Sequence, residues 1–191
     1  MNTKMVKFTG FHGTDNSGAQ AILRYKKYKA SNKENEWLGT GIYFFIDENR
    51  KVAIENAYKW ATNYKKIRFY SVLETIVNTN KDKIIDFNDP EWQWVYHKYR
   101  EERINYTINK GIKLETDKLK FDCEIINDVC KKFSIDLVYQ QRYINLSKRR
   151  NIVSSAIPNC TIMCVRRNDI INKQSIKAVS RGCNNEKRGN A

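Results

Sequence analysis

The chain has 191 residues, the size of one ordinary folded domain. It contains 35 lysine and arginine residues against 21 aspartate and glutamate residues, so its formal net charge of +14 is expected to attract polyanions such as nucleic acid, anionic lipid or an anionic cofactor. The hydrophobic fraction of 41% and the aromatic fraction of 12% exclude an intrinsically disordered chain, although the mean hydropathy is −0.70.

Short strands and amphipathic helices are predicted to alternate through the first half of the chain. Apolar and β-branched residues bounded by turn residues indicate strands at 6–10, 42–45, 66–77 and 83–87. A helix is predicted after Asp15 or Asn16, because either side chain can cap the first turn of the apolar face that follows. Apolar residues at helical spacing predict a second helix from about residue 48 to residue 64.

The second half of the chain is predicted to hold two longer helices and two strands. Pro90 favours the start of a helix that carries Trp94, Val95 and Tyr99 on one face. Another helix is predicted at 121–133, and strands are predicted at 135–141 and 161–165 on either side of a basic loop. The sequence therefore predicts one α+β domain at 1–179 and a flexible basic tail at 180–191.

The sequence shows no sign of a membrane span, a secretion signal or a metal site. The longest apolar run, at 41–46, is far shorter than the ~20 residues that a membrane-spanning helix needs. The first residues include two lysines, but no apolar stretch of the kind found in a signal peptide follows them. The five cysteines form no Cys-x-x-Cys pair and suggest neither a disulfide framework nor a zinc site. We therefore expect a cytoplasmic protein that binds neither a metal nor a membrane.

Two short motifs stand beside predicted turns. The sequence His-Gly-Thr at 12–14 follows the first strand, and Gly-Thr-Gly-Ile-Tyr-Phe at 39–44 begins the second. In this order, with a helix after each, they resemble the first two signature motifs of the diphtheria-toxin and poly(ADP-ribose)-polymerase type of ADP-ribosyltransferase. The resemblance extends over roughly residues 5–65, which include Ala-x-x-Trp-Ala at 57–61. It implies an α+β fold in which helices flank a split β-sheet.

The resemblance also implies a substrate and roles for the matching residues. In this family NAD is a co-substrate, and its bond to nicotinamide breaks through a transition state with oxocarbenium character, like that of glycoside cleavage. His12 would bind a ribose hydroxyl, Tyr43 would stack on the nicotinamide ring, and Gly13 would let the backbone approach the carboxamide. The residues expected to bind NAD are His12, Gly13, Thr14, Gly41 and Tyr43.

The third signature of that family, a late glutamate, has no counterpart where we expect it. The segment 138–145 is the matching position, and it contains no acidic residue. The neutral side chains that could bind a ribose hydroxyl there are Asn145, Gln140 and Gln141. We take Asn145 as the candidate third catalytic residue beside His12 and Tyr43. The acids that could replace the glutamate from upstream are Glu36 and Glu74. Family members without the glutamate are mono-transferases or inactive, so polymer formation is not expected.

A basic segment provides a second indication of function. Between residues 140 and 181 there are nine cations and one acid. The residues expected to hold an anionic acceptor, on a loop that borders the NAD site, are Lys148, Arg149 and Arg150. Arginine suits this role because its planar fork pairs with a phosphate at two points. Tyr139 and Tyr143 could stack on an unpaired base or pack in the core, and the cations could simply form a solvated face.

Three functional hypotheses follow from the sequence. The first is a mono-ADP-ribosyltransferase-like protein, of the kind used as a bacterial or phage toxin or effector. It would modify a nucleic-acid or protein acceptor, and an antitoxin or regulatory protein would be a candidate partner. The second is an inactive module of the same fold that binds nucleic acid or an acidic partner. The third is a hydrolase that transfers ADP-ribose to water.

Overall fold

The computed structural model of the protein describes residues 4–147 and 154–184. In this part of the chain seven strands and four α-helices follow one another. In chain order they are β1 (Met5–Asp15), α1 (Asn16–Tyr25), β2 (Ile42–Ile46), α2 (Arg50–Lys59), β3 (Phe69–Asn80), β4 (Ile84–Asp86), α3 (Pro90–Asn109), α4 (Lys118–Lys132), β5 (Leu137–Arg142), β6 (Cys160–Val165) and β7 (Ile171–Cys183). A π-helical turn, Trp60–Tyr64, extends α2. The predicted α+β class is confirmed.

The strands form one mixed sheet in the order β4-β5-β6-β2-β1-β3-β7. Only β4 and β5 are paired in parallel, and the other neighbours are antiparallel. Strands β1 and β3 pair along the whole of β1, whereas β1 and β2 share a single paired position, Phe11 opposite Phe45. The sheet is therefore only weakly joined between β1 and β2, and its two halves diverge there.

Helices cover both faces of this sheet. On one face α1 packs through Ala19 and Ile22 against a core that includes Phe44 and Leu73. On the other face α2, α3 and α4 cover a larger core that includes Phe11. Because side chains alternate between the two faces of a strand, neighbouring residues of β1 and β2 belong to different cores. Both cores meet at the divergence between those strands.

Helices α1 and α3 begin where the sequence predicts, because capping residues fix their first turns. The carboxylate of Asp15 accepts a hydrogen bond from the backbone N–H of Gly18 at 2.6 Å, which caps the first turn of α1. That hydrogen bond lowers the pKa of Asp15. Asp89 caps α3 in the same way, and Pro90 occupies its first turn.

Four features differ from the sequence predictions. Strand β1 continues through residues 12–14 to Asp15, because each of these residues pairs with β3. The predicted helix over 48–64 is α-helical only from Arg50 to Lys59. Trp94 lies on α3 but is 63% exposed, because the helix turns Val95 and Tyr99 towards the core instead. The fourth difference is the long strand β7, which the sequence analysis did not predict.

Strand β7 also corrects the predicted start of the tail. Residues 180–183, assigned above to a flexible tail from 180, pair with β3, with Ser180 opposite Val72 and Cys183 opposite Phe69. The reason is that β3 is long enough to supply hydrogen-bonding partners for β7 on its side away from β1. The remainder of the predicted tail, residues 185–191, lies outside the described residues.

Candidate functional site

A cavity of about 420 Å³ opens where β1 and β2 diverge. The cavity receives His12 and Gly13 from β1, and Gly41 and Tyr43 from the start of β2 and the turn before it. Four of the five residues predicted to bind NAD are therefore brought together. Its volume lies within the range of ~300–1,000 Å³ typical of small-molecule sites. Its charged lining residues are Lys29, Lys33, Glu36 and Lys65.

His12 is held across the divergence by a hydrogen bond to the other strand. Its Nδ1 lies 2.8 Å from the carbonyl oxygen of Tyr43, and because a carbonyl only accepts, Nδ1 must carry the proton. Burial lowers the pKa of His12, so the ring is neutral near pH 7 and Nε2 is an acceptor. Within residues 4–147 and 154–184, nothing forms a hydrogen bond with Nε2. This nitrogen can therefore accept a hydrogen bond from a ligand hydroxyl.

Tyr43 presents its ring to the cavity while its hydroxyl is bound to the protein. The hydroxyl donates to the carbonyl of Gly39 at 2.6 Å and accepts from the N–H of Leu38 at 2.9 Å. Burial is the main cause that raises the pKa of Tyr43, so the phenol stays protonated. The side chain can therefore offer an aromatic face to a ligand, but it cannot act as a base.

An aromatic wall, which the sequence analysis did not predict, completes one side of the cavity. In the π-helical turn Trp60 and Tyr64 stack with ring centroids 4.1 Å apart and planes 11° apart. Trp37 meets Trp60 edge to face at 5.4 Å. A π-helical turn often marks a functional site, and here it turns both rings towards the cavity. The available signal was the Ala-x-x-Trp-Ala sequence at 57–61, which alone could not show the stacking.

Glu36 brings a carboxylate to the same cavity as His12 and Tyr43. It lies on the loop between α1 and β2, and its carboxylate accepts a hydrogen bond from the hydroxyl of Ser31. Ser31 is fixed in turn by two backbone hydrogen bonds to Gly41, at 2.7 and 2.9 Å. The negative charge of Glu36 also contributes to the raised pKa of Tyr43, as expected for groups that lie near each other. Among the described residues that line the cavity, Glu36 is the single acid.

Glu74, the other upstream candidate, has a different environment. It lies on β3, is 9% exposed and does not line the cavity. The Arg50 guanidinium donates to its carboxylate from Nε at 2.9 Å, and Lys177 approaches it to 3.1 Å. Burial raises the pKa of Glu74, but the hydrogen bonds and charges of these two cations outweigh it, and the net pKa is lowered. Glu74 thus joins α2, β3 and β7 through ion pairs.

We expect Glu74→Gln to reduce the free energy of unfolding by about 1–2 kcal/mol near pH 7. A fully buried pair would cost more, but Arg50 and Lys177 are 55% and 62% exposed and are screened by water. Because the folded-state pKa is lowered, this stabilisation is present above the ordinary pKa of 4.5 and is lost as the pH falls through the lowered value. Urea unfolding at several pH values measures the effect. The exposed Glu124→Gln is the control, and equal stability of the two variants near pH 7 would contradict the prediction.

Three other groups of predicted site residues are not brought to this cavity. Thr14 does not line it, and the Thr14 hydroxyl oxygen faces Gly18 of α1 instead. Asn145 does not line it either, and its side-chain oxygen accepts hydrogen bonds from Ser147. The predicted acceptor-binding residues, Lys148, Arg149 and Arg150, lie outside the described residues. Asn145 was predicted at the site from its order along the chain, but the segment that follows β5 does not bring its side chain to the cavity.

Two glycines of the motifs, Gly13 and Gly39, are also required by the fold itself, apart from the role predicted for Gly13 in binding NAD. A Cβ atom at Gly13 would lie 2.1 Å from the carbonyl oxygen of Ala57, so Gly13 allows α2 to pack directly against β1. Gly39 has a φ of +76°, which glycine adopts without strain. A Cβ there would also lie 2.5 Å from Asn127, whose side-chain oxygen accepts from the N–H of Thr40. Close packing therefore accounts for both residues.

Within residues 4–147 and 154–184, no group of three or more His, Cys, Asp or Glu side chains is arranged to hold a metal ion. Among the helices of that part of the chain, none combines the length and the apolar character needed to cross a bilayer.

Comparison with known proteins identifies one similar sequence. No protein-family model matches the chain. An uncharacterized protein of Methanocaldococcus jannaschii, MJ0359, is 28% identical to it over 159 residues. The aligned region covers 80% of this chain and 66% of that relative, so the chain spans slightly less than two thirds of the relative's length. The name of the relative describes no activity, and the similarity therefore favours no particular function.

Proposed function

We propose that this protein transfers a single ADP-ribose group from NAD to an acceptor. The observation that carries the proposal is that one cavity, at the divergence of β1 and β2, contains the imidazole of His12, the ring of Tyr43 and the carboxylate of Glu36. These groups supply a hydrogen-bond acceptor, an aromatic face and a negative charge. The motif resemblance at 12–14 and 39–44, and a sheet joined weakly at this point, support the same proposal.

The cavity residues suit the different parts of NAD. Nε2 of His12 would accept a hydrogen bond from a ribose hydroxyl, since Nδ1 is already engaged. The ring of Tyr43 would pack against the nicotinamide, with the aromatic wall of Trp37, Trp60 and Tyr64 close by. The lysines that line the cavity would attract the diphosphate, because opposite charges attract most strongly in a partly enclosed site. An apolar floor with a charged edge is typical of small-molecule sites.

Glu36 would supply the negative charge that the reaction needs. The bond between C1′ of the ribose and the nicotinamide nitrogen breaks, and nicotinamide leaves with the bonding electron pair. An acceptor oxygen or nitrogen bonds to C1′, and its proton passes to Glu36 or to water, so no oxidant or reductant is consumed. Positive charge collects on the ribose between these events, and a fixed carboxylate stabilises it. In this proposal Glu36, from the α1–β2 loop, acts in place of the missing late glutamate.

Nicotinamide release tests this proposal. Purified protein with labelled NAD and mixed acceptors should release nicotinamide, and His12→Ala and Tyr43→Ala should each lower the rate about a hundredfold because the substrate loses its orientation. Tyr106→Ala, an exposed tyrosine on α3, is the matched control and should keep the wild-type rate. Thermal unfolding checks that each variant is folded.

The same experiment separates the alternatives. Release of nicotinamide without any acceptor would identify transfer to water. No release from the wild type, or equal release after both site substitutions, would contradict the proposal. Salt-dependent binding of oligonucleotides without heat of binding for NAD would instead favour the non-catalytic module, which the net charge of +14 also suits.

A further inference from the structure

A second cavity of about 350 Å³ lies directly beside the first. Trp37 and Leu119 line both cavities, so the two adjoin at these side chains. The remaining walls of the second cavity come from α3, the first turns of α4, and β5. Nothing in the proposed binding of NAD requires this space, and it therefore offers room for a second ligand next to the first.

Arg142 makes the second cavity a site for an anion. Its guanidinium lies over the ring of Trp37, with the Cζ atom 4.9 Å from the ring centroid. The side chain is half-buried, and because burial disfavours the charged form it lowers the pKa of Arg142. In the described part of the chain no acceptor forms a hydrogen bond or ion pair with this guanidinium. A partly buried cation without a hydrogen-bonding or anionic partner is costly, and a phosphate that accepts hydrogen bonds from two of its N–H groups would reduce that cost.

The acid of this cavity does not neutralise Arg142. Asp122 lines the cavity, but its carboxylate accepts a hydrogen bond from the hydroxyl of Tyr96 at 2.5 Å. The charge of Asp122 influences the pKa of Arg142 without direct contact between the two groups. Two further basic side chains, Lys118 and His97, also line the cavity and are exposed. The cavity therefore retains an excess of positively ionisable groups.

The other walls suit a planar, polar ring. Trp37 and Tyr96, both partly exposed, contribute aromatic surfaces against which a nucleobase can stack, and the buried Phe87 packs beside Tyr96. The amide of Gln93 donates from Nε2 to the carbonyl of Phe87 at 2.8 Å, which fixes the direction of its side-chain oxygen as an acceptor. Gln140 adds a second amide. A cation, aromatic rings and amides in one cavity match the phosphate, the stacking face and the hydrogen-bonding edge of a nucleotide.

We propose that this second cavity binds one unpaired nucleotide of a single-stranded nucleic acid, with its phosphate on Arg142 and its base against the aromatic walls. The role of this nucleotide as the acceptor of ADP-ribose rests on the proposed function. Glu36 lines the first cavity and its neighbour in the chain, Trp37, lines both, so the two cavities adjoin at Trp37. A nucleotide in the second cavity would extend past Trp37 towards the first. Its nucleophilic atom would bond to C1′ as nicotinamide leaves, and its proton would pass to Glu36.

Fluorescence anisotropy with labelled single-stranded oligonucleotides, in the absence of NAD, tests the site. Arg142→Gln should weaken binding about tenfold, and the slope of log affinity against log salt should fall by about 0.7, the value for one phosphate contact on a single strand. Arg142→Lys keeps the charge but loses the fork, and it should weaken binding less. Arg181→Gln, an exposed arginine on β7 at the other end of the sheet, should change binding by less than about twofold.

Photocrosslinking of the wild type gives a measurement that does not depend on a substituted protein. Oligonucleotides with iodinated uracil should crosslink to Trp37, Tyr96 or His97. Crosslinks only outside this cavity, or equal losses of affinity in Arg142→Gln and Arg181→Gln, would overturn the site. Full displacement of the labelled oligonucleotide by added NAD, as expected for two ligands that compete for one site, would overturn the proposal too. The second cavity would then hold part of NAD.

The test of the nucleotide site can succeed or fail independently of the test of the proposed function. Oligonucleotide binding that depends on Arg142, in a protein that releases no nicotinamide, would support the nucleotide site and contradict the NAD chemistry. Nicotinamide release, together with oligonucleotide binding that is unchanged in Arg142→Gln, would support the NAD chemistry and contradict the nucleotide site.

Discussion

Replacing Glu36 with glutamine is expected to lower the rate of nicotinamide release about a thousandfold, while the affinity for NAD stays close to that of the wild type. Glutamine has nearly the same shape, and its side-chain oxygen can still accept the hydrogen bond from Ser31. Only the negative charge is lost. Because positive charge collects on the ribose mainly in the transition state, the substitution should affect the rate and not the binding.

Labelled NAD gives the rate for Glu36→Gln, and titration calorimetry gives its affinity. The matched control is Glu48→Gln, an exposed glutamate on the loop before α2, which should behave as the wild type. A Glu36→Gln protein that cleaves NAD at the wild-type rate would remove Glu36 from the mechanism. Since Glu36 is the single acid among the described lining residues, the proposed transfer reaction would then lack its carboxylate.

Gly13→Ala is expected to have the largest effect on stability, a loss of about 3 kcal/mol in the free energy of unfolding. The new methyl group would lie 2.1 Å from the carbonyl oxygen of Ala57, and the obstacle is helix backbone instead of a flexible side chain. Ala57 and Ala61, which the new methyl group would meet, are fully buried, so α2 can move away from β1 only by opening the core. The π-helical turn continues α2, and its aromatic wall would move with it.

Urea and thermal unfolding measure this loss. For a chain of this size, 3 kcal/mol corresponds to a decrease in Tm of about 6–12 °C. Gly111→Ala is the control, because a Cβ at Gly111 meets nothing within 4 Å and only its positive φ opposes the substitution. The control should lose about 1 kcal/mol from backbone strain alone. A Gly13→Ala protein that is as stable as this control would show that α2 does not pack tightly on β1.

The sequence predicted those elements whose signals are local. Helix α1 begins at its capping residue Asp15, and Pro90 begins α3, since both signals act within one turn of the helix. Strand β7 was missed because its outward residues include Lys173, Gln174 and Lys177, which hide the apolar alternation. Polar and charged residues are common on edge strands, where they discourage pairing with other chains. Its pairing with β3 is a long-range property that no local pattern encodes.

The site was predictable to a similar extent. The motifs placed His12 and Tyr43 in one cavity, because one motif lies at the end and the other at the start of two strands of the same sheet. Glu36 could be named only as an alternative, since its approach depends on the backbone bonds between Ser31 and Gly41. Thr14 and Asn145 were assigned by motif membership and by order along the chain. Neither property determines which way a side chain points, and neither of these two residues lines the cavity.

The single paired position between β1 and β2 predicts that the width of the cleft can change when a ligand binds. Phe11 opposite Phe45 is the one paired position there, and the bond from His12 to Tyr43 is a further tie across the gap. The other strand pairs are joined at three or more positions each, so we expect any opening or closing of the sheet to occur between β1 and β2. A substrate that contacts both strands would hold them together. Amide hydrogen exchange at residues 11–13 and 43–45 should therefore slow when it binds.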